Sequence, residues 1–267
     1  MIKKKHDDYE MVPYPKIQRG LGIMYRSLRH MPIIHGLIEV DVTRARQYLR
    51  DHKEKTGESL SFTAFIITCL ARAVDENKSL HACRKGRKRL VLFDEVDVAI
   101  PIERDMAGHK QPIFYIVRAA NKKTFRGIHH EIRVAETEAV EKAWEGFKEL
   151  RLLPLALIRF FWPFFWWLRD TSPQVQKKYG GTVGISAVGM FGKGGGWGIP
   201  ISYRTLDVTL GGITEKPGVV DGQIAIREYL CMTLSVNHAI IDGAPATRFS
   251  TRLKELIESG YGLYESE

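Results

Sequence analysis

Cysteine is scarce in this chain of 267 residues, and spacing never pairs it. Cys69, Cys83 and Cys231 are odd in number and form no C-x-x-C motif, which argues against a disulfide framework and against a zinc site. A reducing, cytoplasmic setting is the expectation, and no metal is implied. The N-terminal stretch "MIKKKHDDYEMVPYPK" is basic but has no apolar h-region, so it is not a secretory signal. Internal repeats, low-complexity linkers and a clear domain boundary are also missing. Acidic residues are in deficit: 40 Lys and Arg against 31 Asp and Glu give a formal net charge of +9. That surplus favours anionic partners such as nucleic acid, anionic lipid or a phosphate-bearing cofactor. Nucleic acid fits least, because the basic residues do not cluster with exposed aromatics in a recognised module.

What is present suits one packed α/β domain. Apolar residues make up 44% of the chain and charged residues 27%. Residues 14–30, opened by Pro15, read as a short amphipathic helix. "PIIHGLIEVDVT" alternates as a strand, residues 43–56 read as a polar helix, and 61–79 as a buried helix with a Ser cap. "RLVLF", "EVDVAIPIE" and "PIFYIVRA" read as strands of one growing sheet. The basic run "RKGRKR" at 84–89 brackets a glycine between apolar stretches and predicts a solvated hairpin tip. From about Thr124, Ile128, Ile132, Ala135, Ala139, Ala143, Phe147 and Leu150 trace one face of a long helix. "TVGISAVGMF", "TLDVTLGGIT" and "IREYLCMTLSV" are strand-like, and an amphipathic helix closes the chain over about 244–259.

Residues 152–168 hold four Phe and three Trp with Arg159 as the one charge. As a helix they would reach about 25 Å, short of a bilayer core of about 30 Å. Arg159 and Pro163 argue further against a span, and so does the presence of strands on both sides. Three readings stay open: a helix buried at a subunit interface, an aromatic surface resting on a bilayer, and the wall of an apolar substrate pocket.

Near the C-terminus stands "VNHAIIDGAPATRF", Val236 to Phe249. Alternation puts Leu230, Met232, Leu234, Val236 and His238 on one face, with His238 at the end of a central strand. Asp242 and Gly243 supply the turn before the closing helix, and Asp242 can hold that turn by a hydrogen bond. On spacing alone, His238 is either a general base or a histidine that caps a strand.

The motif with its closing helix resembles the end of the acyltransferase catalytic domain of 2-oxo acid dehydrogenase complexes. Chloramphenicol acetyltransferase is a more distant relative with the same His-x-x-x-Asp-Gly arrangement. "GGTVGISAVGMFGKGG", "IPISYRTLDVTLGGI", "VDVAIPIE", "QPIFYIVRAANKKTFRGIHHEI" and "MPIIHGLIEVDVT" follow that family in order. The match runs over 14–260 as one catalytic domain, with 1–13 and 261–267 as tails. The resemblance implies a chloramphenicol acetyltransferase-like α/β fold, a two-layer sandwich with a mixed β-sheet backed by helices. It implies a homotrimer with sites between subunits, His238 from one and Ser186 from its neighbour, 52 positions apart as the family expects. It implies acyl transfer from an acyl-coenzyme A thioester to a thiol or hydroxyl acceptor in a ternary complex. His238 would be the general base, Ser186 the oxyanion donor, and Asp242 a structural residue with Arg19 as a candidate partner. Three departures stand out. The family's Asp-His-Arg is Asn237-His238-Ala239 here, its Thr two before the serine is Gly184, and no lipoyl domain, subunit-binding domain or Ala/Pro-rich linker is present. The acceptor is therefore expected on another protein's lipoyl domain or on a lipid, with the enzyme cytoplasmic and peripheral at a membrane. A catalytically silent trimeric scaffold is the alternative.

Overall fold

The computed structural model describes residues 5–6, 9–10, 31–86, 88–106, 109–137, 172–189 and 192–264. Its first long strand, β1 (Ile33–Asp41), runs straight into helix α1 (Thr43–Thr56). Asp41 makes that junction. Its carboxylate accepts hydrogen bonds from Thr43 N at 2.9 Å, Thr43 Oγ1 at 2.6 Å and Arg227 Nε at 2.6 Å. Gly57 ends α1 with φ +77°, a left-handed position that glycine fills without strain. Helix α2 (Phe62–Asp75) begins where Ser61 Oγ accepts from Ala64 N, and ten of its residues are buried.

A short hairpin follows, β2 (Cys83–Lys85) paired with β3 (Arg89–Val91). The turn expected at 84–89 is therefore present. "RLVLF", however, does not join the main sheet: it folds back on Cys83–Lys85 because the Gly86 turn brings it there first. The remaining elements are β4 (Val98–Met106), β5 (His109–Val117), α3 (Phe125–Thr137), α4 (Pro173–Gly180), β6 (Val183–Ala187), β7 (Leu206–Val220), β8 (Gln223–Asn237) and α5 (Gly243–Ser259). The expected helix 14–30, the continuation of α3 through Leu150 and the aromatic segment 152–168 lie outside the described residues. No helix among the described residues is long and apolar enough to cross a membrane.

Six strands form one mixed sheet in the order β1-β8-β7-β6-β4-β5. Strands β6 and β7 are parallel, as are β4 and β6, and the other pairs are antiparallel. One face carries Ile185, Val208, Leu234 and their neighbours, buried beneath α2, α3 and α5. This is the two-layer sandwich with a helix-backed mixed sheet. The other face of the central strands is also buried but polar, with Asp207, Thr209, Thr233, Ser235 and Asn237. "YLCMTLSV" thus alternates large apolar side chains toward the helices with small or polar ones toward the second face.

His81, in a 3₁₀ turn at Lys78–His81, is 1% exposed. Its Nδ1 shares a 3.1 Å hydrogen bond with Thr182 Oγ1, and its ring meets Phe93 edge-on. Burial pushes its pKa from 6.5 down to about 4. The fold therefore holds the neutral imidazole. Its stability is full above the unfolded value and is lost as pH falls from 6.5 toward 4, by about 3 kcal/mol for this group. Urea denaturation at pH 7 and pH near 4 should show that loss, and His81→Gln should flatten it. An equally steep pH dependence in His81→Gln would show that another group is responsible.

Candidate functional site

His238 follows the last residue of β8 and is held from both sides. Its backbone N–H donates to Pro32 O at 2.8 Å, and the preceding Asn237 N–H donates to Thr205 O at 3.0 Å. Asn237 then builds the turn. Its Oδ1 accepts from Ala239 N at 3.0 Å, and its carbonyl accepts from Ile240 N and Ile241 N, both at 3.0 Å. The imidazole side chain is 47% exposed, so it is open to solvent rather than sealed in the core.

Asp242 sits at the N-cap of α5. It makes no side-chain capping bond, its side chain is 84% exposed, and Oδ1 lies 3.8 Å from His238 Nδ1. That is ion-pair range, longer than a hydrogen bond. The turn is held by Asn237, a residue that sequence reading treats only as a departure from the family. Its position directly before the histidine at a strand end was the available signal, since Asn and Asp side chains close such turns. Arg19 lies outside the described residues.

Ser186 is on β6, on the polar face of the sheet. It pairs with Thr209 of β7, which pairs with Thr233 of β8 and through it with Leu37 of β1. The Thr209 and Thr233 hydroxyls are buried without a hydrogen-bond partner among the described residues, which makes this row a polar recess. The next row is Gly184, Asp207, Ser235 and His35, with a 2.8 Å hydrogen bond between His35 and Ser235. Residues 192–203 lie as an arm over this face. Gly212 N–H donates to Gly196 O, Gly196 N–H reaches Cys231 Sγ, and the Trp197 indole donates to Ile38 O. The contact is backbone on backbone: a Cβ on Gly211 would stand 2.0 Å from Gly196 O. Gly211 and Gly212 of "LGGI" are thereby explained: a side chain on either would strike the backbone of the arm.

The ladder also sets a distance. Thr233 shares the row of Ser186 two strands away, and His238 is five residues beyond Thr233. At about 3.3 Å per residue and 4.8 Å per strand, Ser186 and His238 are roughly 19 Å apart within one chain. The fold does not bring the two together in a single copy. Two clefts among the described residues, of about 680 and 370 Å³, are lined by Glu58, Arg126 and His129 and by Thr43, Tyr48 and Tyr264 among others, and neither includes His238 or Ser186.

A buried ion pair stands behind the serine. Arg204 Nη1 donates to Asp207 Oδ1 at 2.8 Å and Arg204 Nε to Gly180 O at 2.7 Å, while the guanidinium stacks on Tyr203. A Cβ on Gly184 would lie 1.9 Å from Asp207 Oδ1 and 2.5 Å from Arg204 Nη1. The ion pair thus occupies the space that the family's threonine needs.

These features define a helix-backed, mixed-sheet fold with a histidine at the end of a central strand. Solved structures share it. Dihydrolipoamide acetyltransferase of Azotobacter vinelandii aligns at TM-score 0.69 and 18% identity, over 96% of this chain and 93% of that one. Chloramphenicol acetyltransferase aligns at TM-score 0.50 and 17% identity, over 91% and 96%. The family model for the 2-oxoacid dehydrogenases acyltransferase (catalytic domain) matches residues 6–146 and 168–264, and the chain belongs to that family. The match breaks over 147–167, where nearly all of the aromatic segment lies. The lipoamide acyltransferase component of the branched-chain alpha-keto acid dehydrogenase complex of Bacillus subtilis is 26% identical over 93% of this chain and 52% of its own length. The chain spans about half the length of the curated relatives it matches.

Gly184→Thr restores the family residue and should destabilise by about 1–3 kcal/mol, because it must displace the Arg204–Asp207 pair. Urea denaturation measures this. An unchanged midpoint would mean that the ion pair moves aside freely.

Proposed function

We propose that residues 14–260 act as a coenzyme A-dependent acyltransferase domain that works as a homotrimer, with each site shared between two copies. The separation of His238 from Ser186 carries this reading. One chain holds them roughly 19 Å apart, yet each stands on a rigid ladder with its chemistry unspent. A neighbouring copy that lays its Ser186 face against the half-exposed His238 would complete the site. Such closed cyclic assembly, in which one face of each copy meets a different face of the next, is a regular form of homo-oligomer.

The chemistry follows from the groups. His238 Nδ1 faces Asp242, which leaves Nε2 to take the proton from the acceptor thiol or hydroxyl. The acceptor then attacks the thioester carbonyl of the acyl-coenzyme A. Ser186 donates a hydrogen bond to the oxyanion of the tetrahedral intermediate, a contribution of about 3 kcal/mol for one such donor. Collapse expels the coenzyme A thiolate, which His238 protonates. No acyl-enzyme is formed. The names of the relatives point to a dihydrolipoyl acceptor, which on this reading is presented by a separate carrier domain. A cytoplasmic location, peripheral at a membrane, fits the unpaired cysteines and the basic surplus.

His238→Ala should lower turnover of acyl-coenzyme A with a dihydrolipoyl acceptor by about 10²–10⁴-fold, and Ser186→Ala by about 10²-fold or more. Neither should change the fold by circular dichroism. Co-refolding the two inactive variants should restore part of the activity, because a mixed trimer pairs an intact His238 with an intact Ser186. Full activity in His238→Ala would leave only a scaffold. Loss in both variants without recovery on mixing would place the site within one chain.

A further inference from the structure

The β2–β3 hairpin has no role in this chemistry, and its surface is unlike the rest. Register sets Cys83 opposite Val91, Arg84 opposite Leu90 and Lys85 opposite Arg89. Arg84 and Leu90 therefore share one face, and alternation adds Leu92 to it. Leu90 is 49% and Leu92 57% exposed. Arg84, Lys85, Lys88 and Arg89 are exposed too, and none has an ion-pair partner among the described residues. No acidic residue occurs between Cys83 and Phe93. The acids that follow are already engaged: Asp94 with Lys78 at 2.6 Å, and Glu95 with Lys122 at 3.1 Å and Lys177 at 2.9 Å.

The hairpin is firmly rooted. Cys83 is 3% exposed, Phe93 packs on His81, and Ala82 O accepts the Thr205 hydroxyl. Thr205 is also the residue whose carbonyl holds Asn237 N. A fixed base thus carries a hairpin with four exposed cations that have no ion-pair partner among the described residues, and with two exposed leucines; Thr205 links its root to the strand end before His238.

We propose that this hairpin docks the protein on a bilayer that presents anionic headgroups. Clustered Lys and Arg are drawn to the negative potential of such a surface, and leucines beside them enter the boundary between headgroups and acyl chains. Nucleic acid fits less well, because no exposed aromatic on the hairpin could stack on a base. A folded acidic protein would have to supply a surface matched to both the cations and the leucines, whereas a fluid anionic bilayer offers headgroups and acyl chains together. This inference stands independently of the acyltransferase reading.

Co-sedimentation of the full chain with phosphatidylcholine vesicles, with and without phosphatidylglycerol, tests it. The chain should sediment with the anionic vesicles, far less with the neutral ones, and less as salt rises. Reversing four charges (R84E, K85E, K88E, R89E) should weaken binding roughly tenfold or more. The milder neutral set (R84Q, K85Q, K88Q, R89Q) and the pair L90S and L92S should each weaken it as well. These variants should melt like the wild type and keep acyl transfer to a soluble acceptor, which separates this test from that of the catalytic reading. Three outcomes would overturn the proposal. The wild-type chain could ignore anionic vesicles while binding duplex DNA or an acidic protein. The hairpin variants could sediment as the wild type does. Binding could also survive in them and vanish only when Phe160–Trp167 are replaced by serine.

Discussion

The register of β8 between β1 and β7 is the constraint on which the rest of the structure depends. Val236 opposite Leu206 and Ile34 puts Leu230, Met232, Leu234 and Val236 under the helices. The same register turns Thr233 and Ser235 to the second face, beside Thr209 and Asp207. A slip by one residue would exchange the faces, burying hydroxyls among leucines and exposing the core. It would also move the end of the strand, and with it His238. Because β7 pairs with β6, the same register sets where Ser186 stands. The position of a histidine and of a serine 52 residues before it are thus one geometric fact, made by two ladders rather than by a loop.

Those ladders also explain how much of the site could be read in advance. Local patterns carried the elements well. Alternation marked β1, a serine marked the start of α2, and amphipathic periodicity over about 244–259 marked α5, whose observed span is Gly243–Ser259. Local patterns could not say which strand pairs with which. "RLVLF" has the composition of a sheet strand, yet its partner is the segment just before it. The distance between Ser186 and His238 was hidden for the same reason, since strand order is a property of the whole fold. The resemblance to acyltransferases named both residues but could not reveal that Arg204 and Asp207 fill the space beside Gly184.

That buried pair shows how a departure can be local and complete. A threonine two residues before the serine would sit on the polar face, where something must satisfy the backbone and fill the volume. Here Asp207 reaches across from β7, accepts from Arg204 and lies 3.3 Å from Tyr203 N. Breaking such a pair by removing one partner would strand a buried charge, so its two members and the glycine they require form a single unit. It also ties the end of α4, through Gly180 O, to the strand that flanks the serine.

The change from Asp-His-Arg to Asn237-His238-Ala239 follows the same logic. Position 237 is only 7% exposed, and a carboxylate there would need a nearby cation to offset its desolvation. The family's arginine two residues on is suited to that task. Asn237 is neutral, and its Oδ1 is satisfied by Ala239 N, so no counter-charge is required. Once the charge at 237 is gone, an arginine at 239 has no partner to serve, and alanine supplies the backbone N–H equally well. The two substitutions offset each other and leave the turn closed. Asp242 is then the charged neighbour beside the imidazole among the described residues. The Asp242 carboxylate stands at the N-terminus of α5, where the helix dipole favours negative charge, and makes no capping bond. The charge nearest the imidazole among the described residues is therefore an exposed carboxylate, held in place by the strand end and the helix start rather than by a buried partner.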